Sequence, residues 1–322
     1  LRQPEGFSLV ELTIAMALTL ALIASLLELT QSSRASSATQ GETADLRQRV
    51  RVGVDTLTHD IMAAGAGTYI GDHPGPLSAS VPAILPYRHA VSGSDPPGTF
   101  RSDAITLIAV PATAAQTTLT ADMAPGSVTM QVERVPMCAP GVNLCSFAEG
   151  LVVLAFDESG ASQIFTVGAV LDGPSQLQTT TAAAALFKAG TPVVAVEVHV
   201  LSLKTDPATH AAQLVHCTPT ARGDVPVLDH VAALTFDYGV AAAELVDGPW
   251  RPDSASGERW DVDLLRIRTV GVTIRLESAL AALRGPAGAL FANGGTATNP
   301  RVWVPDLEVR FAVSPRNLSL RR

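Results

Sequence analysis

The chain has 322 residues, 47% of them hydrophobic, which is apolar volume for one large domain or two ordinary ones. Only 16% are charged and 5% aromatic, so that volume comes mostly from Ala, Val and Leu. A net charge of −8 argues against nucleic acid as a partner, and none is expected.

The N-terminus begins with a polar leader, residues 1–6, Leu1-Arg2-Gln3-Pro4-Glu5-Gly6. An apolar run follows from Phe7 to Leu27, and its one ionisable residue is Glu11. Roughly 20 helical residues cross a hydrocarbon core. Neither Gly nor Pro interrupts the run, so no kink is expected. Residues 7–29 are therefore read as a helix that crosses a membrane or packs among other apolar helices. A carboxylate in such a segment is costly unless it finds a partner, which makes Glu11 a candidate functional residue. The Ala-x-Ala site of a cleaved secretory signal does not follow the run. A plain signal anchor explains the apolarity but not the succession Gly6-Phe7 then Glu11.

The stretch Gly6-Phe7-Ser8-Leu9-Val10-Glu11-Leu12 resembles the class III signal of type IV prepilins. That resemblance implies cleavage after Gly6 by a prepilin peptidase at the inner face of the membrane. It also implies N-methylation of Phe7 by the same peptidase/N-methyltransferase, and pairing of Glu11 with the terminal amine of a neighbouring subunit.

Beyond the span the chain turns polar at Thr30-Gln31-Ser32-Ser33, without a helix breaker. Leu46, Val50, Val54, Leu57 and Ile61 then recur at three- and four-residue spacing, one face of a helix. Arg47, Arg49, Arg51, Asp55 and Asp60 are assigned to the other faces. Gly65-Ala66-Gly67 is a C-terminal stop. The expectation is one helix from about Phe7 to about Ala64, with residues 30–65 carrying it into the globular part and packing on a sheet. The arginine cluster reads as a solvated face neutralised by Glu42, Asp45, Asp55 and Asp60, in preference to a phosphate contact. The Gly65-x-Gly67-x-x-x-Gly71 pattern has the wrong spacing for a dinucleotide loop and follows a helix instead of a strand.

Residues 66–103, rich in Gly, Pro, Ser and Asp, read as a long connection with short extended pieces. Strands are expected at Ala104–Val110, Ser127–Arg134, Leu151–Phe156, Gln163–Val167, Pro192–Leu203, Gln213–Cys217, His230–Val240, Leu264–Leu276 and Val302–Val313, divided by turn signals. Val270, Val272, Ile274 and Leu276 alternate with Gly271, Thr273 and Arg275, as a half-buried strand requires. No βαβ alternation appears. The fold class is therefore α+β: a long N-terminal helix and an antiparallel β-rich domain over residues 66–322.

The three cysteines, Cys138, Cys145 and Cys217, lack zinc-ligand spacing. Cys138 and Cys145 flank a turn-rich hexapeptide that a disulfide can close in an oxidising compartment. Cys145–Cys217 is the competing pair, and three reduced thiols the remaining alternative. No catalytic motif is present: no Gly-x-Ser-x-Gly, Walker loop or His-Glu-x-x-His. His210 and His216 are six apart in a run that also contains Cys217, but surface or strand-end histidines are the commoner reading and no metal is expected. The acids Asp247, Asp253, Glu258, Asp261 and Asp263, near Trp250 and Trp260, form a loop without the EF-hand pattern, read as solvated instead of calcium-binding. Asn317-Leu318-Ser319 is a chance sequon.

The segment Leu46–Gly65 also resembles the PilW/PulJ group of minor pilins. Looser similarity comes from Val231–Tyr238, Trp250, Trp260, Leu264–Leu276, Val309-Arg310-Phe311 and Arg316-Asn317-Leu318. The resemblance implies a pilin-like fold and a non-enzymatic minor pilin, without cofactor, that primes type IV pilus assembly near the filament tip. Its implied partners are other minor and major pilins, the peptidase and the inner-membrane assembly platform. It implies a single-pass inner-membrane protein with its globular domain in the periplasm, carried outside in the pilus. The alternative within that class is the minor pseudopilin J of type II secretion, whose globular domains are usually smaller. A different class is a pilus-tip adhesin or DNA-uptake receptor that uses the 65–103 insert or the Trp250/Trp260 loop.

Overall fold

The computed structural model describes residues 9–66, 69–70, 73–74, 82–89, 94–96, 99–111, 115–135, 138–156, 162–218, 223–240, 245–246 and 262–319. Helix α1 runs without interruption over Leu9–Ala63. The strands in chain order are β1 (Tyr69–Ile70), β2 (His73–Pro74), β3 (Ile84–Leu85), β4 (Ala104–Ala109), β5 (Gln116–Thr118), β6 (Thr129–Gln131), β7 (Val152–Phe156), β8 (Ser162–Leu171) and β9 (Gln176–Thr179). They continue with β10 (Pro192–Ala195), β11 (Glu197–Thr205), β12 (Ala212–Cys217), β13 (Val225–Leu228), β14 (Val231–Val240), β15 (Leu245–Val246), β16 (Ile267–Leu276) and β17 (Leu307–Val313). Two short helices, α2 (Val262–Arg266) and α3 (Arg316–Ser319), precede β16 and follow β17. The chain is thus a long N-terminal helix with antiparallel β-sheets after it, an α+β fold.

Two compact units are formed: Leu1–Arg49 with Glu277–Leu307, and Val50–Leu276 with Glu308–Arg322. The larger unit holds a six-stranded sheet ordered β5-β10-β7-β8-β9-β6, a five-stranded sheet ordered β13-β12-β11-β4-β3, and a four-stranded sheet ordered β15-β14-β16-β17. Strand β4 pairs directly with β11, Glu197 facing Ala109. The chain between them, from Ala115 to Ala195, builds a core of its own from Met130, Val153, Phe165, Leu177, Phe187 and Val193. Phe165 and Phe187 meet edge to face with ring centroids 6.2 Å apart.

The C-terminal half of α1 is held by its spaced apolar face: Val50, Leu57, Ile61 and Ala64 are buried. Val54, placed on that face by spacing, is half-buried, whereas Gly53 is buried and lies so close to Leu228 that a Cβ there would displace the leucine. Gly65 terminates the helix at φ +72°, a conformation that favours glycine, and its N–H donates to the Ile108 carbonyl at 2.9 Å.

Five expected elements differ in detail. Ser127–Arg134 is reduced to Thr129–Gln131, and Gln163–Val167 is extended to Ser162–Leu171. The run Pro192–Leu203 is two strands, because the chain passes at Val196 from the six-stranded to the five-stranded sheet. The first turn of Leu264–Leu276 is helical, and β16 begins at Ile267. The start of Val302–Val313 is taken by a 3-10 turn over Pro300–Val302, whose Asn299 side chain caps the Arg301 N–H.

In the smaller unit, Glu42 is 8% exposed and accepts from the Ala279 N–H at 2.6 Å. Arg49 contacts the same carboxylate at 3.3 Å and Asp45 at 2.7 Å. Glu277 binds Arg284 and the Asn293 amide, each at 2.8 Å. The buried carboxylates of this unit are thus partnered, as burial of charge requires.

Candidate functional site

The apolar segment Leu9–Thr30 has a mean hydropathy of 2.2 over 22 residues, and none of it is buried in the structure. Its length, about 33 Å at 1.5 Å per residue, matches a hydrocarbon core of roughly 30 Å. Twelve large apolar side chains between Leu9 and Leu29 are at least 47% exposed. Each leaves part of the roughly 1.5–3 kcal/mol of a full burial unrealised in water. The hydroxyls of the segment are satisfied within the helix. Thr13 donates to the Val10 carbonyl at 2.8 Å, Thr19 to Ala15 at 2.7 Å, Ser25 to Ala21 at 2.9 Å and Thr30 to Leu27 at 2.9 Å. Such back-bonding lets polar side chains sit in lipid without water. Glu11 lies in the first turn of α1, exposed. Gly6 and Phe7 lie outside the described residues.

A second constellation lies in the larger unit. His199 on β11 and His216 on β12 are diagonal neighbours on one sheet face, because Leu201 is the register partner of His216. His199 Nδ1 and His216 Nε2 are 2.9 Å apart, and the rings are stacked with centroids 5.0 Å apart. Asp60 of α1 is seven residues beyond Gly53, so both lie on one helix face. Gly53 meets Leu228, whose register partner Leu214 is two residues from His216 on the same strand face. A carboxylate oxygen of Asp60 and one nitrogen from each histidine lie within 4.8 Å of one another. Burial holds the His216 pKa below the ordinary imidazole value; the Asp60 charge opposes that shift and His199 reinforces it. Two imidazoles and a carboxylate are a donor set suited to a transition metal.

This arrangement corrects two expectations. Asp60 does not neutralise the arginine face; it is 8% exposed and its Oδ2 has no hydrogen-bond partner among the described residues. Its spacing of three from Leu57 places it on the buried face, a signal present in the sequence. His216 is grouped with His199 and not with its run-mates. His210 is exposed at a turn with φ +57°, and Cys217, next along β12, alternates to the opposite face and donates to the Thr218 carbonyl at 3.9 Å.

Cys138 and Cys145 are bonded to each other, and Cys217 is a free thiol. The closed loop is held by Asp172, whose Oδ1 accepts from the N–H groups of Asn143 and Leu144, both at 2.8 Å. Nearby, Gln116, Thr117, Glu133, Arg134 and Val194 line an open cleft of about 370 Å³. Its Glu133 carboxylate already accepts from Thr118 at 2.9 Å, and Arg134 donates to the Cys138 and Ala139 carbonyls at 3.2 Å.

Two titrating features bear on stability. Asp95 pairs with Arg88 at 2.6 Å and Arg101 with Asp103 at 2.8 Å. Burial pushes the Asp95 carboxyl up, but the bonds from Arg88 outweigh it and hold its pKa below the usual range. Arg101 does the same for Asp103. His89 is held down to about 4 by burial, and its Nε2 is enclosed without a partner among the described residues.

Of the arginines on α1, Arg47 and Arg51 are exposed while Arg49 is engaged with Glu42 and Asp45. The side chains of the acidic loop, including Trp250 and Trp260, lie outside the described residues. Asn317-Leu318-Ser319 falls on α3. No protein family, curated protein or solved structure matches the chain.

Proposed function

We propose that the chain is a minor pilin of the PilW/PulJ type that acts by subunit association. It is inserted in the inner membrane through Leu9–Thr30, with its β-rich part in the periplasm, and passes to the tip region of a type IV pilus. The observation that carries this reading is an apolar helical surface with no covering and a carboxylate, Glu11, in its first turn. Such a surface needs lipid or other apolar helices around it. A filament core supplies both the apolar neighbours and, from an adjacent subunit, an amine to offset the Glu11 charge in a low-dielectric layer. The Cys138–Cys145 disulfide accords with an oxidising compartment for the β-rich part. Cleavage after Gly6 and methylation of Phe7 complete the reading.

Glu11→Ala is the test. Membrane insertion is expected to stay intact, since the substitution makes the span more apolar, while incorporation into sheared filaments falls. Normal incorporation of the variant would overturn the assigned role. Mass spectrometry of the membrane-extracted chain is expected to find methylated Phe7 at the N-terminus.

A further inference from the structure

We propose that Asp60, His199 and His216 bind a divalent transition-metal ion, with Zn²⁺ as the probe, that clamps the C-terminal part of α1 to strands β11 and β12. Their donor atoms lie within 4.8 Å of one another, on a helix and two paired strands of one compact unit. Zinc takes imidazole nitrogen and carboxylate oxygen at about 2.0–2.2 Å, and tetrahedral ligands at that distance are separated by about 3.3–3.5 Å. The histidine nitrogens, at 2.9 Å, would open by a few tenths of an ångström, and the Asp60 oxygen, within 4.8 Å of them, would close in by up to about 1.5 Å to complete the set.

Asp60 gives the second, independent reason. Its Oδ2 is enclosed and has no hydrogen-bond partner among the described residues. A buried carboxylate is unfavourable unless a cation or several donors face it. Without an ion, the two imidazoles meet each other and leave that oxygen unanswered. A divalent ion answers all three groups at once, and the carboxylate offsets half of its charge. Three protein ligands leave a fourth position for a water molecule, and both histidines are half-buried. Because the ligands come from α1 and the five-stranded sheet, the bound ion cross-links them and favours the folded state. This proposal is independent of the membrane reading and stands or falls without it.

The experiment uses the full chain in detergent, stripped with a chelator. Zinc titration is expected to saturate at one ion per chain and to raise Tm. Asp60→Asn and His216→Ala are each expected to weaken binding at least tenfold, whereas His59→Ala, at the exposed neighbour of Asp60, leaves it unchanged. Zinc binding as strong in Asp60→Asn as in the unaltered chain would overturn the proposal. A readout that needs no variant is histidine acylation followed by mass spectrometry. Zinc is expected to protect His199 and His216 but not the exposed His59 and His210. Equal labelling of all four with and without zinc would likewise overturn it.

Discussion

Leu18 and Leu57 lie on the same uninterrupted helix, yet Leu18 is 62% exposed and Leu57 is fully covered. Helix formation alone does not distinguish them; the arrangement of their neighbours does. Around Leu18 apolar residues occur on every face, so no single protein surface can cover them. Around Leu57 they recur every three or four positions, and one sheet-packed face is enough. One helix therefore carries two solvation regimes. Its first part is suited to lipid or other helices, and its last part belongs to a folded unit.

The largest effect that tests this contrast is truncation. Leu57→Ala or Ile61→Ala is expected to cost about 2–5 kcal/mol of stability through lost burial and a residual cavity. Leu18→Ala or Leu22→Ala should change it by less than about 0.5 kcal/mol. Urea unfolding of the detergent-solubilised chain measures both, and equal losses at the two sites would erase the distinction.

Acid provides the next test, because the groups with displaced pKa values, His89, Asp95 and Asp103, belong to the larger folded unit. The His89 pKa is about 4 when folded against 6.5 when unfolded, so the unfolded chain takes up the proton first as pH falls. The associated stability is fully present above about pH 6.5, is lost between there and about pH 4, and changes no further below that. At about 1.4 kcal/mol per unit the loss reaches up to about 3 kcal/mol. The depressed pKa values of Asp95 and Asp103 add a further loss below the ordinary carboxylate range. Unfolding midpoints at pH 7 and pH 4.5 should differ in this direction, and His89→Gln should flatten the difference.

A smaller effect is expected where the covered part of the helix ends. Gly65 has φ +72°, and an added Cβ would lie 2.6 Å from the Leu318 side chain. Gly65→Ala is expected to cost about 1–2 kcal/mol, read as a lowered Tm. At the bottom of the scale, Arg310 is 75% exposed beside Glu308, and Arg310→Ala should shift stability by less than about 0.5 kcal/mol. A larger shift would mean that surface pairs, and not the covered helix face, hold the β-rich part together.

The helix was legible because both of its patterns are local: a continuous apolar run, then a spaced face closed by Gly65. Longer strands such as Val231–Val240 and Ile267–Leu276 were legible for the same reason, since their alternation or β-branched content extends over ten residues. Gln116–Thr118, Gln176–Thr179 and Val225–Leu228 were not, because three or four residues show too little periodicity, and the partner of Gln116–Thr118 lies more than seventy residues along the chain, at Pro192–Val194. The Asp60–His199–His216 group was hidden by sequence distance. The local run instead suggested His210 and Cys217, which the strand's alternation and a turn direct elsewhere.

Local chemistry was therefore enough to set the apolar helix, its amphipathic continuation, its stop and the antiparallel character of the strands after it, because each depends on neighbours within a few residues. Only the folded chain decided that Pro192–Leu203 serves two sheets, that residues 115–195 enclose a core of their own, and that an aspartate on a helix meets two histidines on adjacent strands. Those outcomes depend on which distant surfaces bury one another, and that choice is made by packing across the whole unit.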